Sequence, residues 1–193
     1  MKTLKPLLLL FTALLFTCSS DDDSSGNQIT TTTPTITIDI NAILALADGA
    51  DITNLISFGQ PAGVSSADWE VELRVGDILS LGQPIGLAAG DELLYDFVEF
   101  FDSDFEPVDE SVVFQYLEFI NCVKDDGTPD PECDDTLSAM EYYTTFSMRS
   151  INAEDTFDID YKYGMEVFIR RDGEADRGPF YIDPKIKIKA STN

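Results

Sequence analysis

Alternation constrains this chain more than any other feature. In Thr35-Ile36-Thr37-Ile38-Asp39-Ile40-Asn41 apolar and polar residues take turns, and Trp69-Glu70-Val71-Glu72-Leu73-Arg74-Val75 repeats the pattern. A period of two sends every second side chain to one face, so each run reads as a strand with one face buried. Further runs rich in Val, Ile, Phe, Tyr and Thr occupy 77–81, 93–101, 112–120, 142–150, 156–162, 164–171 and 180–189, separated by Gly, Pro, Asp and Asn. No stretch holds a long amphipathic helix, although 137–143 offers one turn. About eight or nine short strands with little helix predict an all-β domain over 35–193, a single antiparallel β-sandwich large enough for a real core.

The N-terminus follows different rules. Lys2 and Lys5 precede Pro6 and an apolar run from Leu7 to Phe16, then Thr17-Cys18-Ser19-Ser20-Asp21-Asp22-Asp23. The run is shorter than the ~20 residues a bilayer-spanning helix needs, so 1–17 reads as a secretory signal and not a membrane span. Leu15-Phe16-Thr17-Cys18 is similar to the lipobox of bacterial lipoproteins, which implies that Cys18 becomes the lipidated first residue of the mature chain. The serines and aspartates behind it resemble the export signal of Bacteroidetes surface lipoproteins, which implies an outer-membrane protein exposed on the cell surface. Residues 18–34, small and polar and closed by Pro34, read as a flexible tether.

Three cysteines in an exported chain leave one over. With Cys18 lipidated, Cys122 and Cys133 remain to pair across Asn121-Cys122-Val123-Lys124-Asp125-Asp126-Gly127-Thr128-Pro129-Asp130-Pro131-Glu132-Cys133, or to stay as two thiols. A disulfide over so short a loop would restrict the unfolded chain by roughly 3 kcal/mol. The same loop offers Asp125, Asp126, Asp130, Glu132, Asp134 and Asp135, with Gly127 for curvature. Calcium accepts six to eight oxygens in irregular geometry, so it is the candidate ion, although the spacing departs from the EF-hand pattern. The alternative is that these carboxylates splay into water.

Charge excludes one class of partner. Without residues 1–17, 10 basic residues face 36 acidic ones, a net charge of −26. Such a surface repels phosphate, so nucleic acid is not expected as a partner. Catalysis has few candidates because the chain contains no histidine. That removes Ser-His-Asp and Cys-His arrangements and most zinc sites, and no Gly-x-Ser-x-Gly elbow is present. A glycosidase needs two carboxylates, but 36 acids give the sequence no means of choosing a pair. No enzyme is predicted. Gly59-Gln60-Pro61-Ala62-Gly63 and Gly82-Gln83-Pro84-Ile85-Gly86 lack the Lys-Ser/Thr ending of a phosphate loop. They read as turns, alike by coincidence or because two strand connections are solved the same way.

The closing residues carry a resemblance. Tyr163-Gly164-Met165-Glu166-Val167-Phe168-Ile169-Arg170-Arg171-Asp172-Gly173 is followed by Arg177-Gly178-Pro179-Phe180-Tyr181-Ile182-Asp183-Pro184-Lys185-Ile186-Lys187-Ile188. A strand, a basic-Asp-Gly turn, a glycine before aromatics and Asp-Pro ahead of an alternating last strand look like the inclusion body protein family of PixA and AidA. Ile36-Thr37-Ile38-Asp39 and Val75-Gly76-Asp77-Ile78 fit that family's opening strand and middle turn. The resemblance covers about 35–189 and implies a β-sandwich, structural roles for Asp172, Gly173, Gly178, Asp183 and Pro184, members that form inclusions, and an association with carbohydrate. The lipoprotein signal and the insert at about 121–136 depart from it.

Six of the mature chain's ten basic residues lie between Arg170 and Lys189. In Lys185-Ile186-Lys187-Ile188-Lys189 the lysines should face outward, where they would blunt a sheet edge, dock an acidic partner or pair with acids across the sheet. Two functions follow. One is a non-catalytic cell-surface binding module held to the membrane by its lipid, with a glycan as ligand. The other is a structural, self-associating protein, and thus a homo-oligomer.

Overall fold

The computed structural model describes residues 28–102, 104, 106–131, 133 and 142–191. Cys18, the signal, most of the tether and most of 137–143 lie outside them, as do Glu132, Asp134 and Asp135 of the acidic loop.

Eleven strands are found among the described residues: β1 (Thr31–Thr32), β2 (Thr37–Ile38), β3 (Ile56–Ser57), β4 (Glu70–Leu73), β5 (Ile78–Leu81), β6 (Asp91–Phe101), β7 (Leu117–Lys124), β8 (Tyr143–Ser150), β9 (Ile159–Arg171), β10 (Arg177–Ile182) and β11 (Lys185–Ile188). Two short α-helices, α1 (Ile40–Leu44) and α2 (Glu110–Val113), and two 3-10 turns, Thr53–Leu55 and Ser66–Asp68, complete the regular structure. The domain is thus mostly β with little helix.

The expected two-sheet sandwich is corrected. Nine strands share one sheet in the order β1-β5-β8-β6-β9-β11-β4, with β7 on the other edge of β8 and β10 beside β11 along β9. Strand β6 makes this possible. It pairs with β9 along its length, shifts register between Tyr95 and Val98, and reaches β8 through one pair, Tyr95 opposite Tyr143. A register shift of this kind bends a strand and lets a sheet curl. The two ends of the order come together through a tight turn between β4 and β5, where the Asp77 carboxylate accepts from Arg74 N at 2.9 Å and Thr30 N at 2.7 Å. The result is a nearly closed, barrel-like sheet. Two of its pairings, β1 with β5 and β11 with β4, are parallel and depart from the antiparallel expectation.

The boundary drawn at Thr35 also moves. Thr31 and Thr32 pair with Ile78 and Leu79, so ordered structure begins inside the expected tether. β-Branched threonines suit a strand, and the uncovered edge of β5 offers them a ladder. Thr35–Asn41 alternates, yet only Thr37–Ile38 is strand. Asp39 accepts from Ala42 N at 3.1 Å and caps α1, whose Ile40 and Ile43 turn into the core. In 112–120 the strand begins later, at Leu117, because α2 occupies Glu110–Val113.

The core lies inside the curl. Along β9, Tyr161, Tyr163, Met165, Val167 and Ile169 are buried while the residues between them face outward. Phe58 stacks on Trp69 with centroids 4.5 Å apart, and Phe146 meets Tyr95 and Phe119 edge-on. Each such ring, buried, contributes roughly 1.5–3 kcal/mol. Cys122 and Cys133 are joined as a disulfide.

Strand β11 is interior, which corrects the reading of its lysines as edge protection. It lies between β9 and β4, and its lysines pair across the sheet with the acids beside them. Lys185 meets Asp68 at 3.2 Å, Lys187 meets Glu70 at 2.9 Å and Asp160 at 3.4 Å, and Lys189 meets Asp158 at 2.6 Å.

Candidate functional site

The outer face of β9 carries Lys162, Gly164, Glu166, Phe168 and Arg170, one of which has no side chain. Glycine inside a strand weakens it and often marks a place where something approaches the backbone closely. A Cβ at Gly164 would lie 3.2 Å from the Phe101 ring. The gap it leaves is the floor of a cleft of about 350 Å³.

Four segments wall the cleft. Strand β6 supplies Glu99, opposite Gly164, and Phe101, opposite Lys162. Strand β10 supplies Tyr181, opposite Glu166. The third wall is the segment from Gly49 to Ile52, which lies along β10: Gly49 N donates to Pro179 O at 2.7 Å, Tyr181 N to Ala50 O at 3.0 Å, and Ile52 N to Tyr181 O at 2.8 Å. That brings Asp51, whose carboxylate accepts from Thr53 N at 2.8 Å, to the rim. Asp183, between β10 and β11, closes the fourth side.

The electrostatics are lopsided. Asp51, Glu99, Glu166 and Asp183 line the cleft, and among the described residues no lysine or arginine does. Asp183 is answered by Lys162 at 3.2 Å through one oxygen, while its Oδ1 is buried without a hydrogen-bond partner among the described residues. The charge of Glu166, and a hydrogen bond with it, hold the Tyr181 hydroxyl above the usual tyrosine range. Burial, with the charge of Glu166 second, pushes the Asp96 carboxyl up in the same way. A second cleft, of about 420 Å³ between Asp68, Asp160 and the β11 lysines, is larger, but its charges are already paired with one another.

The described acids of the acidic loop each have a partner in the protein. Asp125 pairs with Arg170 at 3.0 Å, Asp126 accepts from Thr128 N at 2.8 Å and Thr128 Oγ1 at 2.6 Å, and Asp130 accepts from the Tyr143 hydroxyl at 2.7 Å. Among the described residues no three acids or cysteines converge to hold a metal ion.

The residues of the closing motif do hold the backbone together. Asp172 N donates to Gly90 O at 2.8 Å, Gly173 turns the chain at φ +79°, and Pro184 O accepts from Tyr163 N at 3.1 Å. Gly178 sits at φ +144°, where a Cβ would lie 2.8 Å from Val167 O. Asp183 contributes through both its backbone and its side chain. Its own N–H donates to Thr53 Oγ1 at 3.0 Å, and its carboxylate pairs with Lys162 and faces the cleft.

Asp51, Glu99, Phe101, Glu166 and Tyr181 are not distinguished by sequence reasoning, since nothing local separates them from the other acids and aromatics. Gly164 is the one available signal. The sequence divides this stretch into runs 156–162 and 164–171, the second opening at Gly164, whereas β9 runs unbroken through both.

No family model matches the chain, and no curated protein matches it. Among solved structures, an inclusion body protein (PixA) from Burkholderia cenocepacia J2315 is similar at a TM-score of 0.43 and 16% identity, over 86% of this chain and 99% of that chain. It bears the family name that the closing residues resemble.

Proposed function

We propose that this chain is a non-catalytic binding module anchored to the outer membrane by lipid on Cys18 and facing the cell exterior, and that its cleft takes a glycan. The observation that carries the reading is the bare floor at Gly164 between Phe101 and Tyr181. Flat aromatic walls suit the apolar faces of sugar rings, and carboxylates on the rim suit their hydroxyls, as in clefts that combine apolar lining with a few placed polar groups. The experiment is a glycan array probed with the full chain and with Gly164→Leu. Retention of a glycan by the first and its loss in the second supports the reading; no retention, or cleavage of a retained glycan, removes it.

A second reading is a structural, self-associating protein. Strand β7 favours it, because among the described residues its outer edge pairs with no other strand between Leu117 and Asn121. Open edges are templates for pairing with another chain. Sedimentation over a wide concentration range tests it, and a monomer throughout would count against assembly.

A further inference from the structure

We infer that the glycan taken by the Gly164 cleft is cationic, carrying free amino groups where common amino sugars carry acetamido groups; this rests on the glycan reading above.

Basic residues elsewhere on the surface are committed to other acids: Arg171 meets Asp91 at 2.9 Å, Arg170 meets Glu92 at 3.5 Å, and Lys187 meets Glu70 at 2.9 Å. Inside the cleft Asp51, Glu99 and Glu166 have no ion pair among the described residues, and only Asp183 is met by a lysine. A neutral sugar would donate hydroxyls to these carboxylates and leave their mutual repulsion in place. An ammonium group removes it, adding the attraction of opposite charges to the charge-assisted hydrogen bond that a hydroxyl would also make.

Two further observations separate an organic cation from a metal ion. The carboxylates are distributed around the walls, and no three described acids converge as a metal requires. Charges spaced along a chain of sugar units match that distribution. The walls also include Phe101 and Tyr181, and an aromatic face attracts an ammonium group held over it, which an acetamido group would not exploit. Four carboxylates against one lysine leave negative charge in excess on this face, and the charge of Glu166, after burial, raises the neighbouring Asp96 carboxyl. A cleft for neutral sugars has no use for that excess.

The test compares two probes with the same sugar backbone, one carrying free amines and the other acetamido groups. The full chain in detergent is titrated calorimetrically with oligomers of glucosamine and with the same oligomers of N-acetylglucosamine, at a pH low enough to protonate the amines. The expected result is binding of the amino form about tenfold or more tighter than the acetylated form. The double variant Glu99→Gln/Glu166→Gln, which leaves the backbone untouched, should lose most of that affinity, and Gly164→Leu should lose it by filling the floor. Glu118→Gln, a like change of charge on β7, should keep it. Equal or tighter binding of the acetylated oligomers overturns the inference. So does amino-form binding that both cleft variants retain, because it would then belong to the acidic surface at large. If neither oligomer binds but the array retains another, neutral glycan, the inference falls while the cleft reading stands; if no glycan is retained, both fall.

Discussion

The side chain of Gln83 replaces a strand beside Leu93. Its Oε1 accepts from Leu93 N at 2.9 Å, and its Nε2 donates to Leu93 O at 2.6 Å and to Thr144 O at 2.9 Å. Leu93 is in β6 and Thr144 in β8, two strands whose backbones meet only through Tyr95 and Tyr143. The Tyr95 hydroxyl adds a bond to Gly82 O at 2.7 Å. One glutamine therefore stitches the seam where the sheet would otherwise part into two.

Replacing that glutamine should open the seam. Gln83→Leu keeps the volume and leaves the Leu93 N–H and C=O without their partner, at roughly 1–3 kcal/mol for each buried group. For a domain of this size the melting temperature should fall by about 5–15 °C. Gln83→Glu should cost as much at neutral pH, because a carboxylate would face two carbonyl oxygens, and should recover on acidification as it regains a proton to donate. Thermal melts of both variants across pH check this. A melt unchanged by either substitution would mean that the seam holds without Gln83.

Gly178 is predicted to tolerate no side chain. Its φ of +144° lies outside what L-residues adopt readily, and an alanine Cβ would press on Val167 O at 2.8 Å and the Phe168 ring at 2.9 Å. Backbone atoms cannot give way cheaply, so Gly178→Ala should cost about 3 kcal/mol or more. Gly173→Ala makes the comparison, since its φ of +79° is also left-handed but nothing lies within 4 Å of the added carbon. That variant should lose only about 1–2 kcal/mol. Denaturant titrations rank the two, and equal losses would contradict the steric argument.

The two Gly-Gln-Pro segments illustrate how far the sequence could be read. Turn chemistry is legible in Pro and Gly, and the turns are there. That Gln60 accepts from Phe58 N at 2.8 Å while Gln83 latches Leu93, 10 residues away, is not, because a side-chain amide acts through whatever the fold brings within reach. Strand periods are legible where one face is buried, as in β4, β5 and β11. They misled at Asp39, where a capping side chain turned an alternating run into a helix, and at Gly164, where a missing side chain meant a cleft floor and not an end. The lysines of β11 were legible as outward-facing, but their parallel pairing with β4 depends on strand order, which alternation does not encode. The cleft itself gathers residues from Asp51 to Asp183, and nothing short of the fold puts them together.

Stability should fall on the acid side, with one residue acting in the opposite sense. The Asp91 carboxyl is held below its ordinary value by its hydrogen bond with Arg171, and Asp158 by those with Lys189 and Ala190 N. A depressed carboxyl takes up its proton less readily folded than unfolded, so its contribution is present above the unfolded value near pH 4 and is lost as pH falls through the folded one. Asp96 is raised, by burial first and Glu166 second, so its protonated form favours the fold and that contribution disappears as pH rises. Melting temperatures should therefore drop below about pH 4. Asp91→Asn should flatten that drop and lower the neutral-pH melt, whereas Asp96→Asn should raise the neutral-pH melt. The same sign for both variants at neutral pH would refute the assignment.

The proposed lipid anchor makes a prediction at Cys18. The residue follows Leu15-Phe16-Thr17, behind an apolar run too short to remain as a span. A buried methylene contributes only about 0.8 kcal/mol, and one acyl chain binds a bilayer reversibly, so stable anchoring needs two or more chains on the mature N-terminus. Cys18→Ala should remove them, leaving the protein released or unprocessed, which fractionation and the mass of the N-terminal peptide would report. Replacing Asp21, Asp22 and Asp23 by alanine tests the next step separately: the chain should keep its lipid and lose accessibility to protease on whole cells. Membrane retention of the Cys18→Ala variant at its original level would refute anchoring through this residue. Undiminished protease accessibility in the aspartate variant would mean that another part of the chain directs it outward.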